Sequence, residues 1–317
     1  MTQSPLTPIT GRTHGGQPLS LHTAPSADLA PYIARIFVTI IDQPAEHTTT
    51  DFLLNDTPFI RLLPRGYWEG EVAPGVWRHY ACPLLFGAQS KPLRIRVRGP
   101  MATLGCAIRP AGYLALFDQP ASCHADALAP LSEIWSGPGE EIADAGALCD
   151  QPARAIAVIE DGLRRRLAAR PHRQIDTRMD AFERIAWSDP AMPVGQIADR
   201  LHLSARQFQD RTLCHFGHPP KTVLSRSRFL NFAATVRGIV MPSQEELAAL
   251  HYFDQSHVTR EVRRFTGMTP VRFLRTSTPI LTLGIEARQA RRAEEEALLG
   301  AGTAPPWRAP ASAPLLG

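Results

Sequence analysis

The chain has 317 residues, 44% of them apolar, and a formal net charge of +4. That size and composition suffice for two ordinary cores, while no stretch approaches the roughly 18 uncharged apolar residues of a membrane span, which leaves no membrane partner in the reading. The N-terminal MTQSPLTPITGRTHGGQPLS lacks the apolar centre of a secretory signal, and the expected location is cytoplasmic. There the five cysteines (Cys82, Cys106, Cys123, Cys149, Cys214), an odd set with no CxxC spacing, are expected to be buried apolar residues, with redox sensing as the alternative.

In chain order, residues 1–25 are rich in Pro, Thr, Gly and Ser and read as a disordered tail. Residues 26–150 read as a β-rich sensor or dimerisation domain. Its runs are IARIFVTII at 33–41, TPFIRLLP at 57–64, GVWRHYACP at 75–83 and PLRIRVRG at 92–99, separated by Pro and Gly. In the last run Leu93, Ile95 and Val97 alternate with Arg94, Arg96 and Arg98, which puts one face on a core and three guanidinium groups in water. Short strands between Pro/Gly turns suggest a cupin-like fold, a small barrel or a sandwich. Tyr67, Trp68, Trp77, Tyr80 and Tyr113 are candidate pocket aromatics, with core packing as the plainer role. Residues 111–135 read as two short helices.

SGPGEEIADAGALCDQP then reads as a hinge into a linker helix at 151–171, where Ile156, Ile159 and Leu163 share a face and Arg164–Arg166 suit the C-terminal end of the helix dipole. Residues 172–280 read as all-α. A helix from Ile175 to Trp187 is closed by Ser188-Asp189-Pro190, another starts at Pro193 or Val194, and Thr222–Gly238 reads as one continuous helix with Leu224, Phe229, Phe232 and Val236 inward. Residues 281–317 read as a mostly disordered tail, with GIEARQARRAEEEALLG a frayed charged helix inside it. The fold class expected is therefore α+β, a β-rich domain followed by an all-α domain.

An internal repeat gives the helical part its meaning. IADRLHLSARQFQDRTLCHFGHPP at 197–220 returns fifty residues later as LAALHYFDQSHVTREVRRFTGMTP at 247–270. Ala198 matches Ala248, Gly217 matches Gly267, Pro220 matches Pro270, and Ile197 and Phe208 match Leu247 and Val258. Each copy has a short apolar helix around an Ala, a three-residue turn and a second amphipathic helix. The Ala must be small because two helices cross there closely, as a helix-turn-helix requires. An accidental match within a plain helical bundle is the alternative, and charge argues against it. Residues 195–275 carry twelve Lys/Arg against six Asp/Glu, whereas residues 1–150 carry ten against fourteen. A basic domain of that kind suits a polyanionic partner, here double-stranded DNA.

These residues resemble the AraC/XylS type of bacterial transcription regulators. The likeness is carried by Ile197–Ala198, the turn at Leu203–Ser204, HFGHPP at 215–220 and, above all, DQSHVTREVRRFTGMTPVRFLR at 254–275; over the first 150 residues it is loose. The resemblance implies two helix-turn-helix units joined by a long helix and reading adjacent major-groove segments. It also implies an N-terminal domain that senses a small-molecule effector, dimerises, or both, with RNA polymerase as a further partner.

The N-terminal part of each second helix should enter the major groove. Ser204 caps the first, its hydroxyl accepting from the Gln207 amide, which leaves Arg206, Gln207, Gln209 and Asp210 for bases. Asp254 caps the second, leaving Gln255, Ser256, His257 and Arg260. Arg suits guanine, Gln adenine, and Asp the cytosine amine. Phosphate contacts fall to Lys221, Arg226, Arg228, Arg263, Arg264 and Arg272. Three positions depart from the family pattern: Asp210 stands where Arg is usual, Thr212 where a bulky apolar residue is preferred, and His251 at a turn position commonly Gly. The first unit is accordingly expected to contribute less specificity than the second.

No GxSxG, Walker loop, HExxH or GxGxxG is present. His79 with Cys82, and Cys123 with His124, lack further partners at metal-ligand spacing. No catalytic residue, metal site or cofactor is therefore expected, and an enzyme with a catalytic β-domain tethered to DNA is the alternative reading.

Overall fold

The computed structural model describes residues 20–135, 137, 139–172, 174–240 and 255–300, and for 20, 255–258, 296 and 298–300 the backbone alone. The fold is α+β, an antiparallel sheet followed by helices. Eight strands form the sheet: β1 (Ser20–Thr23), β2 (Ile33–Ile41), β3 (Thr48–Leu53), β4 (Phe59–Ala73), β5 (Val76–Tyr80), β6 (Leu84–Phe86), β7 (Leu93–Ile108) and β8 (Leu128–Pro130). The order is β1-β2-β7-β4-β6-β8, with β3 on β7 and β5 on β4.

Strand β7 explains the shape. Its first half pairs with β3 and its second with β2, while β4 runs beside both halves. From 93 to 98 burial alternates, because one face is open; from 101 to 108 every residue is buried, because both faces are covered. The β4–β7 pairing needs Gly105, since a Cβ there would lie 1.9 Å from the Ile60 carbonyl oxygen. The three arginines of the alternating half do face outward, but not into bare water. The Arg96 guanidinium lies 3.9 Å from the Trp77 ring centre, Arg94 5.7 Å from it, and Arg98 5.3 Å from that of Tyr67.

One face of the sheet is covered by short helices α1 (Tyr113–Leu116) and α2 (Leu131–Ile134), a 3-10 stretch Glu140–Leu148, and α3 (Pro152–Ala168). Ile36, Ile60, Leu104, Tyr113, Phe117, Trp135, Ile159 and Leu163 form its core. This corrects the expected linker at 151–171: α3 buries Ala155, Ile159 and Leu163 against the sheet and is part of the N-terminal domain. The expected tail at 1–25 is corrected as well, because Ser20–Thr23 pairs with Thr39–Ile36 of β2. Residues 1–19 lie outside the described residues.

The helical domain has α4 (Thr177–Ser188), α5 (Val194–Arg200), α6 (Ala205–Phe216), α7 (Pro220–Val236), α8 (Gln255–Thr266), α9 (Pro270–Arg275) and α10 (Pro279–Gly300). Helix α7 joins two cores. Its Val223 and Leu224 pack with Phe182, Ile197, Ala198, Phe208 and Phe216; its Phe229, Leu230 and Ala233 pack with Val262, Phe265 and Phe273. The second core also takes in Phe52 and Leu54 from the N-terminal domain and Leu281 and Ile285 from α10.

Helix α10 overturns the expected tail over 281–300; residues 301–317 lie outside the described residues. Leu281, Ile285, Arg288, Arg291 and Glu295 are buried, at spacings of three and four that set them on one face. Asp51 of β3 accepts the backbone N–H groups of Ile280 at 2.7 Å and Leu281 at 3.3 Å, so a residue 229 positions away caps this helix. Arg288 pairs with Asp56 at 2.9 Å, and Arg35 of β2 pairs with Glu294. Arg109, Glu183, Arg291 and Glu295 form a buried four-charge cluster joining β7's end, α4 and α10, with contacts of 2.7–3.4 Å. Among the described residues no helix is long and apolar enough to cross a membrane.

Candidate nucleic-acid interface and effector cavity

Helices α5 and α6 have the expected helix-turn-helix course. Ala198 is buried where they cross, and the Leu203 amide closes the turn onto the Ala198 carbonyl at 3.0 Å. The turn contains His202 at φ +50°, a left-handed position that the sequence did not mark. Ser204 Oγ accepts the Gln207 amide at 3.2 Å, and Gln207 Oε1 accepts the Ser204 amide at 2.9 Å, a complete capping box. Gly217 ends α6 at φ +78°, the left-handed C-terminal conformation that glycine adopts without penalty.

This geometry sorts the candidate residues. Arg206, with its side chain 93% exposed, Gln209 and Asp210 all project from α6. Arg206 Nε lies 3.8 Å from Asp210, so the acid has a partner on its own helix. Gln207 is exposed, but its carbonyl end is held by the cap, which removes the two-ended grip that adenine reading needs. Thr212 is fully buried and donates to the Phe208 carbonyl at 2.7 Å, which satisfies a hydroxyl where an apolar residue was expected.

In the second unit Arg260 is exposed, and Val262 and Phe265 are buried beneath it. The side chains of Gln255, Ser256, His257 and Val258, and the whole of His251 and Asp254, lie outside the described residues, as does the stretch expected to form the first helix of this repeat. Lys221, Arg263, Arg264 and Arg272 are exposed. Arg228 is half-buried and ties the two units together, donating to Glu261 at 3.0 Å and to the Pro190 carbonyl at 2.9 Å. Arg226 corrects the phosphate set. It is fully buried and donates to the carbonyls of Gln89 and Asp56, both at 2.6 Å, so it fastens α7 to the N-terminal domain. Its place in a run of polar residues carried no sign of this, since the partners are backbone oxygens far away in sequence.

Between the sheet and α10 lies a cavity of about 90 Å³, lined among others by Arg35, Phe37, Arg61, Trp68, Met101 and Ile280. Of the candidate pocket aromatics only Trp68 lines it. Tyr80 and Tyr113 are core residues, and Tyr67 lies on the outer face, stacked on His79 at 4.1 Å. Burial and the charges of Arg35 and Arg61 hold the His22 imidazole down to about 3, so it is neutral at physiological pH. Burial likewise pulls the Arg61 guanidinium down to about 10. A lone Arg in the apolar run TPFIRLLP was the one sequence signal of this site. The five cysteines are all free, two buried, two half-buried, and Cys123 exposed, where burial was expected for each.

No protein-family model matches the chain, and no curated protein matches it. Among solved structures it is similar to ToxT from Vibrio cholerae, at 8% identity over 75% of this chain and 97% of that one, with a TM-score of 0.45. ToxT bound to an unsaturated fatty acid matches at 12% identity, over 75% and 94%, with a TM-score of 0.43. The AraC-like transcriptional activator CuxR matches at 14% identity, over 73% and 86%, with a TM-score of 0.28.

Proposed function

We propose that this chain is a sequence-specific DNA-binding transcription regulator whose helices α6 and α8 read adjacent major-groove segments under the control of a small-molecule effector. The observation that carries the reading is the capped α5–α6 unit, which leaves Arg206, Gln209 and Asp210 projecting from a basic domain. Arg260, in the matching place on α8, extends the readout to the second unit, with Gln255, Ser256 and His257 assigned beside it from the sequence alone. Lys221, Arg263, Arg264 and Arg272 supply salt-dependent phosphate contacts. The cavity beneath α10 is the effector site in this reading, and a homodimer and contact with RNA polymerase complete it.

Selection of the full-length protein on random duplex DNA tests the proposal. The expected product is a site with two half-motifs about 10 base pairs apart, one helical turn. Weak binding with no enriched motif would refute sequence-specific reading.

A further inference from the structure

The effector cavity holds two guanidinium groups in unlike circumstances. Arg61 has no acidic partner among the described residues. Its head rests instead on the rings of Phe37, Phe59 and Phe86, at 4.9, 5.1 and 5.2 Å, and its Nε is buried without a hydrogen-bond partner. Arg35 is buried and its counter-charge is Glu294, which reaches in from α10 with its own side chain 38% exposed; the Arg35 Nε is unpartnered too. Asn55 Nδ2, Thr57 Oγ1 and Thr103 Oγ1, from residues that line the same cavity, are also buried without partners.

Aromatic faces return about 0.5–2 kcal/mol to a cation, against several kcal/mol lost on desolvating it. The other charges of the lining are already matched: Asp56 is held by Arg288, and Arg291 by Glu183 and Glu295. Among the described residues, what is left over is one positive charge and a set of polar atoms without partners, beside the apolar surfaces of Trp68, Met101 and Ile280. Such a site is complementary to an anion carrying a small apolar body. The cavity is smaller than the ~150 Å³ space that admits benzene, which limits that body to a few carbons.

Resting on the reading of this cavity as the effector site, we propose that the effector is a short-chain organic carboxylate which seats on Arg61 and takes Arg35 over from Glu294, releasing α10 from the sheet. The exchange is isoelectric at Arg35: one carboxylate leaves as another arrives. Because α10 contributes Leu281 and Ile285 to the core of the second DNA-reading unit, its release changes how that unit is held.

The test titrates the full-length protein with acetate, butyrate, hexanoate, butan-1-ol and inorganic phosphate, reading binding by calorimetry and exchange of the α10 amides by mass spectrometry. Butyrate is expected to bind and to speed exchange over 279–300, and butan-1-ol to do neither. Glu294→Gln removes the competitor and is expected to tighten butyrate at least about tenfold, a change worth 1.4 kcal/mol, while Arg61→Gln weakens it at least as much. If Arg61→Gln does not fold, Glu294→Gln alone decides. Equal binding of alcohol and acid, binding of phosphate alone, or unchanged affinity in Glu294→Gln overturns the proposal. Operator selection on random DNA without acid binding sinks the carboxylate and leaves the regulator; acid binding without operator selection supports the seat and counts against the regulator.

Discussion

The two copies of the repeat share a pattern and differ in what holds them. The first is seated on the N-terminal domain: His215 Nδ1 meets the Pro110 carbonyl at 2.8 Å, His218 Nε2 meets that of Ala88 at 2.9 Å, and Gly217 lies against Ala121. Burial holds both imidazoles below their ordinary range. The second copy is held from the other side, by Phe52 and Leu54 of the sheet domain and by α10. A repeat therefore specifies the internal packing of each unit, while its surroundings follow from residues outside the match.

Breaking the clamp on α10 should produce the largest effect. Arg109→Met leaves the buried carboxylates of Glu183 and Glu295 sharing Arg291, and a loss of about 3–5 kcal/mol in unfolding free energy is expected from denaturant melts. A loss under about 1 kcal/mol would show that the cluster contributes little to holding the domains.

The Asp51 cap makes the same attachment pH-dependent. Burial, opposed by hydrogen bonds from Phe52, Ile280 and Leu281, raises its carboxyl from 3.8 to about 6. The folded state thus binds the proton more tightly than the unfolded one. This contribution to stability is complete below pH 4, is lost as pH rises toward 6, and amounts to at most about 3 kcal/mol. Asp51→Asn should flatten stability across that window, and an unchanged profile would dismiss Asp51 as its source.

For DNA reading the comparison predicts unequal halves. Arg260→Ala should cost about 1–3 kcal/mol and relax one base position, whereas Arg206→Ala, which removes a side chain already turned toward Asp210, should cost less. Equal losses in binding titrations would remove the asymmetry. Ser204→Ala deletes half of the capping box and should lower stability by about 1 kcal/mol. Least of all, Arg272→Ala should leave specificity intact and reduce the slope of log affinity against log salt by about one, and Arg226→Ala should leave that slope unchanged because Arg226 faces the N-terminal domain.

Much of this was legible in the residues. β2 was bounded at Ile33 and Ile41 by its apolar run, the Ser204 cap by its spacing to Gln207, and the long α7 by its inward apolar positions. The misread charges share one cause. Arg226, Arg288, Arg291 and Glu295 look like solvated charges, and only partners more than a hundred positions away make them core residues. The stretch 281–300 read as part of a mostly disordered tail for the same reason: the face formed by Leu281, Ile285, Arg288, Arg291 and Glu295 has helical period but too few apolar members to declare itself buried.

The sequence by itself determined the α+β division, the bounds of β2 and the approximate bounds of α3, α4 and α7, and the local form of the first helix-turn-helix, since caps, turns and periodicity act within a few residues and need no distant partner. Tertiary structure alone decided that α3 belongs to the sheet domain, that α10 closes a cavity lined by Arg35 and Arg61, and that Arg226 is buried against the N-terminal domain. Those outcomes depend on desolvation and pairing between residues such as Arg35 and Glu294, whose meeting is set by how the domains pack and by nothing in the neighbourhood of either.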